Sequence, residues 1–230
     1  MADADFVRDW LGRLERETEK LPTDARREIL EGGEDLSESS SPRELADWMR
    51  RALRRLEEHL GETGRAKTIA GCGCSPGAES LERVRALYAE TSNVDRCIEA
   101  LQTRFVRMLG QVPELDAETI AKIVRRGLGM AGTRKGNTIT TTKIPSRANI
   151  SAYFRESDPV RRRKLYCHCP WGRALLDEGA SDLSAFCNCG AGYYKNIWEI
   201  ILQKPVEMRL VESVLRGDDV CRAEILLPAS

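Results

Sequence analysis

FCNCGAGYYKNIWEIILQKPVEMRLVESVLRGDDVCRAEILLP, Phe186 to Pro228, is the stretch on which the fold turns. It begins with a cysteine pair, Cys187 and Cys189, among the backbone-opening glycines Gly190 and Gly192. Tyr194, Ile197, Trp198 and Ile201 then recur at helical spacing, which predicts a helix closed before Pro205. Val206, Met208 and Leu210 alternate with Glu207 and Arg209, the pattern of a half-buried strand. Gly217-Asp218-Asp219 supplies a turn, and Cys221, Ala223, Ile225 and Leu227 line one face of a return strand. Cys221 therefore points into the same interior as the apolar strand faces.

Outward from this helix and hairpin, the rest of the chain reads mostly as helices. Phe6, Trp10 and Leu14 share one face of a first helix closed by Pro22, and a short second helix precedes the polar loop EGGEDLSESSSP. Ser41-Pro42 starts a third helix, with Leu45, Trp48, Met49, Leu53, Leu56 and Leu60 along one side and four arginines opposite. GCGCSPG, Gly71 to Gly77, predicts a helix start capped by Ser75 with Pro76 in the first turn. Cys97 falls on the apolar stripe of the next helix, where a small core residue is expected, and Asp116 caps another. GLGMAGTRKGNTITTTKIP lacks the phosphate-loop pattern, since Asn137 follows Gly136, and reads as a turn before the strand TITTTKI. Ile150, Ala152 and Phe154 alternate as in a second strand, and Asp158-Pro159 opens a short basic helix that ends at Cys167-His168-Cys169. The predicted class is α+β: a helical N-terminal half, then a small antiparallel sheet packed with helices. Three segments follow: a helical arm over 1–66, a helical segment with the first cysteine pair over 67–135, and an α+β ligand-binding-like unit over 136–230.

Composition excludes several classes. Acidic and basic residues balance at 36 each, so whole-chain charge favours neither nucleic acid nor an anionic membrane as partner. No apolar run approaches the roughly 20 residues of a membrane span. The amphipathic, acidic start lacks the regions of a secretory signal, so a cytoplasmic setting with reduced thiols is expected.

Eight cysteines are many for such a chain, and six fall in C-x-C pairs: Cys72/Cys74, Cys167/Cys169 and Cys187/Cys189. Each pair precedes a predicted helix, where unpaired N–H groups and the helix dipole lower a thiol's pKa and favour the thiolate. An extended C-x-C also sets both sulfurs on one side. Four thiolates suit a closed tetrahedral zinc site, and Cys167, Cys169, Cys187 and Cys189 supply four in a compact span. Cys221, Cys72 and Cys74 are further candidates. Small buried cysteines packing helix starts would use the same residues. His168, between two cysteines, projects away from both as a pocket donor, a ligand or a surface imidazole.

CHCPWGRALLDEG followed by FCNCGAGYYKNIWEIILQKPVEMRLVESVLRGDDVC resembles the 4-vinyl-reductase-type domain, a small-molecule-binding module. The stretch from about Thr68 to Pro228 resembles an uncharacterised prokaryotic family more closely, through GCGCSP, GNTITTTKIP, YCHCPWGR, CGAGYYKNIWE and SVLRGDDVC. A more distant resemblance is to the 2-aminothiazoline-4-carboxylate hydrolase family. In sensor members of the first family zinc is held by a cysteine before the helix, a Glu and a Cys on the next strand, and the Cys of a G-D-x-x-C turn. The resemblance carries these onto Cys187, Leu210, Ser213 and Cys221, so two ligand types are replaced here. Cys189 beside Cys187, and Glu212 on the strand face of Leu210, stand ready to compensate. The ligand pocket of that fold would draw on Trp171, Tyr193, Tyr194 and Trp198, with His168 and Glu212 at its edge.

The function expected is therefore a cytosolic small-molecule-binding protein with a cysteine-thiolate zinc centre and about one ion per chain. Its partner would be a small, largely apolar ligand, held between the helix Tyr193–Leu202 and the face of Val206, Met208 and Ile225. No nucleic acid or membrane partner is expected, and a homodimer stays open. A cysteine-dependent hydrolase, a thiol redox enzyme and an iron–sulfur protein are the alternatives. The glycines of GCGCSPG further predict a close backbone approach that brings Cys72 or Cys74 to Cys169 or Cys189.

Overall fold

The computed structural model describes residues 6–37, 39–129 and 131–228. Three helices come first: α1 (Phe6–Glu17), α2 (Thr23–Leu30) and α3 (Pro42–Gly71). Val7, Trp10 and Leu14 bury one stripe of α1. Ser41 and Glu44 close α3 with a reciprocal capping box, which satisfies two end N–H groups. Gly61 kinks α3 with φ 70°. The helix nevertheless runs past Leu60 to Gly71, so residues 66 and 67 both lie within it. α4 (Ala78–Thr91), α5 (Val94–Leu109) and α6 (Ala117–Arg125) follow. Asn93 and Asp116 accept N–H bonds as caps of α5 and α6.

The C-terminal part holds β1 (Thr133–Lys135), β2 (Thr138–Thr142), α7 (Ile150–Arg155), α8 (Pro159–Tyr166) and α9 (Pro170–Asp177). A 3₁₀ segment over Ser181–Cys187 leads into α10 (Asn188–Leu202), and β3 (Glu207–Glu212) and β4 (Arg222–Leu226) close the fold. The strands form one antiparallel sheet in the order β1-β2-β4-β3. The α+β class, with helices first and a small antiparallel sheet later, is the one the sequence predicts.

Three local expectations are corrected. Ile150 to Phe154 is not a strand but α7, in which Ile150 and Tyr153 are buried three residues apart; alternation over five residues mimicked a strand. GTRKGN is more than a turn. It carries β1 and the two-residue connection Gly136-Asn137, with Gly136 at φ 59°, so TITTT is one arm of a hairpin. Gly77, and not Ser75, caps α4.

Helix α10 is the axis of the packing. Cys189 in its first turn joins a cluster built from α1, α3, Trp171, Leu175 and Phe186. Its later residues Ile197, Trp198 and Ile201 join a second cluster with Leu81, Leu101, Ile139, Val206 and Ile225. The N-terminal helices thus share one core with the C-terminal half.

The α3–α10 contact is close because two glycines permit it. A Cβ on Gly192 would lie 1.9 Å from the Ala70 carbonyl oxygen, and one on Gly73 would lie 2.8 Å from the Cys189 oxygen. The close approach expected of GCGCSPG is therefore present, and it is made against the start of α10.

Candidate functional site: a thiol cluster around Lys143

Cys167 and Cys169 both have extended backbone, at φ −68° and −73°. Their side chains therefore point the same way, toward the first turn of α9. Gly172 makes the space: a Cβ there would stand 2.7 Å from the Cys167 sulfur. His168 points elsewhere, and its Nε2 donates to the Ile144 carbonyl at 2.6 Å. Burial, and then the Lys143 charge, push its pKa down to about 4, so the ring is a neutral donor to backbone.

The second pair is arranged differently. Cys187 has helical backbone at φ −68°, ψ −8°, and Cys189 lies inside α10. Two residues along a helix turn a side chain by about 200°, so the two thiols part. The single-sided geometry expected of an extended C-x-C holds for Cys167/Cys169 and fails for Cys187/Cys189. Cys187 lies within electrostatic reach of Cys221, Cys167 and Cys169, with the Ser213 hydroxyl near its sulfur. Cys189 turns toward the N-terminal helices, where the Trp10 indole N–H donates to its sulfur at 3.4 Å.

Cys72 and Cys74 follow Cys189. The Cys189 thiol donates to the Cys72 carbonyl at 3.5 Å, and Asn196 binds the carbonyls of Gly73 and Cys74. Cys72 closes the C-terminus of α3, not the start of α4, and its thiol donates back to Thr68 at 3.4 Å. The helix-start setting expected of all three pairs is thus wrong for this one. Cys74 is exposed.

Lys143 ties the cluster together. It follows β2, and its N–H donates to the Cys221 carbonyl at 2.8 Å, which extends the β2–β4 pairing. Burial presses its ammonium toward the neutral form; the thiolate forms of Cys221, Cys167, Cys169 and Cys189 pull its pKa back above the ordinary value. The thiols themselves are raised, chiefly by burial: Cys221 to about 11, and Cys167, Cys169, Cys187 and Cys189 upward as well. The lowering expected at helix starts is therefore overridden, because removing a thiolate from water outweighs the helix-end field. The nearby Gly172 and Val214 backbone opposes this in part at Cys169 and Cys221, and the Cys167 thiol itself donates to the Cys169 carbonyl at 3.8 Å.

Sequence reasoning missed Lys143 and Tyr166. The Tyr166 hydroxyl donates to the Lys143 carbonyl and accepts from the Cys221 N–H at 3.1 Å, which fixes the end of β2 against the start of β4. A lysine just beyond TITTT carries no spacing signal, but a tyrosine abutting C-H-C could have been flagged.

The expected pocket residues are dispersed. Trp171 stacks in an aromatic group with Phe6, Trp10, Trp48 and Phe186, its centroid 4.8 Å from Trp10. Trp198 is fully buried in the other cluster, and Tyr194 donates to the Gly129 carbonyl at 3.3 Å. Tyr193 is half-buried and packs edge-on against Tyr194. The interface of α10 with Val206 and Ile225 is closed core. A bulge between Leu210 and Glu212 sends Glu212 to the face of Arg222, which it pairs at 2.5 Å, and not to the face of Leu210 as expected. Two clefts open elsewhere. One, of about 460 Å³, lies by Tyr88, Asn93, Arg134 and Lys204; the other, of about 440 Å³, lies by Arg13, Arg16, Gly73 and Ser75.

Among the described residues, no three His, Cys, Asp or Glu side chains are already arranged as a metal site. The residue types do suit a soft dication: the free thiol of Cys187 lies within electrostatic reach of those of Cys167, Cys169 and Cys221, and Lys143 is within the same reach. Bringing these sulfurs onto one ion requires the cluster to tighten. None of the helices described is long and apolar enough to cross a membrane.

Residues 134–230, under half of the chain, match a family of unknown function (DUF6144). The match begins well after Thr68, and it lends no support to a relationship with the 4-vinyl-reductase-type domain or the 2-aminothiazoline-4-carboxylate hydrolases. No curated protein and no solved structure matches the chain.

Proposed function

We propose that this chain is a small-molecule-binding protein built on a thiolate metal centre, in which Cys167, Cys169, Cys187 and Cys221 hold one zinc-like ion. What supports this reading is that Cys187 lies within electrostatic reach of Cys221, Cys167 and Cys169, which come from three segments of the chain. A dication supplies what burial withholds. Held by Cys167, Cys169, Cys187 and Cys221, it would favour their thiolate forms at neutral pH, with their protons released on binding, and the Lys143 charge would offset part of the excess negative charge. Cys189, Cys72 and Cys74 fall outside the set, because Cys189 turns away to Trp10.

The resemblance to the 4-vinyl-reductase type supports the same place. Of the positions it carries over, Ser213 and Cys221 both act on the Cys187 thiol, Ser213 from the place where that family has a ligand. The ligand side of the reading, a small and largely apolar molecule, rests on that resemblance. Trp171 and Trp198 are already packed, so such a ligand would open the core there or lie in a surface cleft such as the two described.

Metal analysis of protein purified without oxygen or added chelator is expected to find about one zinc per chain. Cys187→Ser should reduce that to near zero, while Cys97→Ser, at a core thiol in another cluster, should leave it unchanged. A colourless protein excludes an iron–sulfur cluster on the same thiols. Finding no metal in the wild-type chain, with or without zinc added during purification, would sink the proposal.

A further inference from the structure

We infer that Cys74 and Cys189 form a dithiol that hydroperoxides oxidise to a disulfide, a modification site distinct from the four-thiol centre. Three structural observations converge on it. Cys74 is exposed, whereas Cys72 and Cys189 are buried. The loop carrying Cys74 is pinned over the first turns of α10 by Asn196 and by Gly73, whose missing Cβ lets the chain rest against the Cys189 carbonyl. The Cys189 sulfur lies 3.5 Å from the carbonyl oxygen of Cys72, two residues before Cys74. Solvent reaches the loop through the cleft that Gly73 and Ser75 line.

Cys189 is the partner and Cys72 is not. The Cys72 thiol turns back along α3 to Thr68, away from the loop. A bond between cysteines separated by one residue would also close a small ring far from relaxed disulfide geometry. Cys187 is excluded because it points to the opposite side of α10.

The chemistry balances with one hydroperoxide. The Cys74 thiolate attacks the O–O bond, leaving Cys74 as sulfenic acid and releasing hydroxide, or the alkoxide from an organic hydroperoxide. The Cys189 thiol then attacks the sulfenic sulfur; the S–S bond forms, the S–O bond breaks, and water leaves with the Cys189 proton. Two thiols are oxidised by two electrons, and the peroxide is reduced. The Trp10 indole stays on the Cys189 sulfur, so the bond staples α1, the end of α3 and α10 together.

The test is to treat the reduced full-length protein with a small excess of hydrogen peroxide, block free thiols, digest with trypsin and map cross-links by fragmentation. The peptides Thr68–Arg83 and Ala174–Lys195 should appear joined through Cys74 and Cys189, two hydrogens lighter than the separate pair, and dithiothreitol should release them. Cys74→Ser and Cys189→Ser should each lose the link, and Cys187→Ser should keep it, whether or not metal is bound. Because the link does not use the four-thiol set, it stands or falls apart from the metal centre. An unmodified Cys74, a Cys74 carried to sulfinic acid, an intermolecular Cys74 disulfide, or a link through Cys72 or Cys187 overturns the inference.

Discussion

Gly192→Ala is expected to be among the most damaging single changes in this chain, costing more than about 3 kcal/mol, beyond the usual range for overpacking. The added methyl would stand 1.9 Å from the Ala70 carbonyl oxygen and 2.7 Å from its carbon. These are backbone atoms inside helix α3, with no side-chain rotation to absorb the clash, so α3 and α10 must separate along the seam that joins the two halves of the molecule. Gly190→Ala is the matched control on the same helix. Its Cβ would meet nothing nearer than the Lys143 Nζ at 3.8 Å. There the ordinary preference of a helix for alanine should prevail, with a gain of about 0.5–1 kcal/mol. Urea unfolding of the two variants side by side measures the difference. Similar midpoints for both would mean that α3 and α10 are not packed as described.

Trp10→Ala should come next, at about 3–5 kcal/mol, the cost of truncating a large buried aromatic. Trp10 is fully buried, with Trp171, Phe186 and Trp48 at centroid distances of 4.8, 5.6 and 6.3 Å. Its loss also removes the donor on the Cys189 sulfur. For a chain of this size the thermal midpoint should fall by roughly 10 °C. Trp10→Phe keeps most of the ring packing and removes the N–H, so it separates the volume effect from the hydrogen bond, worth about 1 kcal/mol. A Trp10→Ala midpoint within a degree or two of wild type would show that α1 does not share the core.

What the sequence disclosed, and what it hid, follows from the range of the physics involved. Helix α10, the β3–β4 hairpin and the caps at Ser41 and Asp116 are local patterns, and they read directly. Ile150 to Phe154 misled because five residues cannot separate a period of two from one of 3.6 when three of them are apolar. The grouping of cysteines was legible, but its division was not. Whether a C-x-C presents its sulfurs together depends on backbone conformation at two residues, extended at Cys167 and helical at Cys187. Burial was equally invisible, and it reverses the pKa direction that helix starts alone would give. Lys143 could not be found from spacing, because its role comes from what tertiary packing sets around it.

The bond from Trp10 to Cys189 spans 179 residues, and this bears on the order in which the molecule can assemble. As the chain leaves the ribosome, α1 to α3 are complete long before Phe186 and Cys189 exist to cover Trp10 and Trp48. The first helices must therefore wait with their indoles uncovered, a state that invites association with other apolar surfaces. Closing so distant a contact is slow compared with forming the helices themselves. Nascent chains ending before residue 186 should accordingly bind a hydrophobic dye or a chaperone, and chains extended through β4 should not. The C-terminal thiol segment, whatever ion it carries, is also the piece that lets the N-terminal helices finish folding.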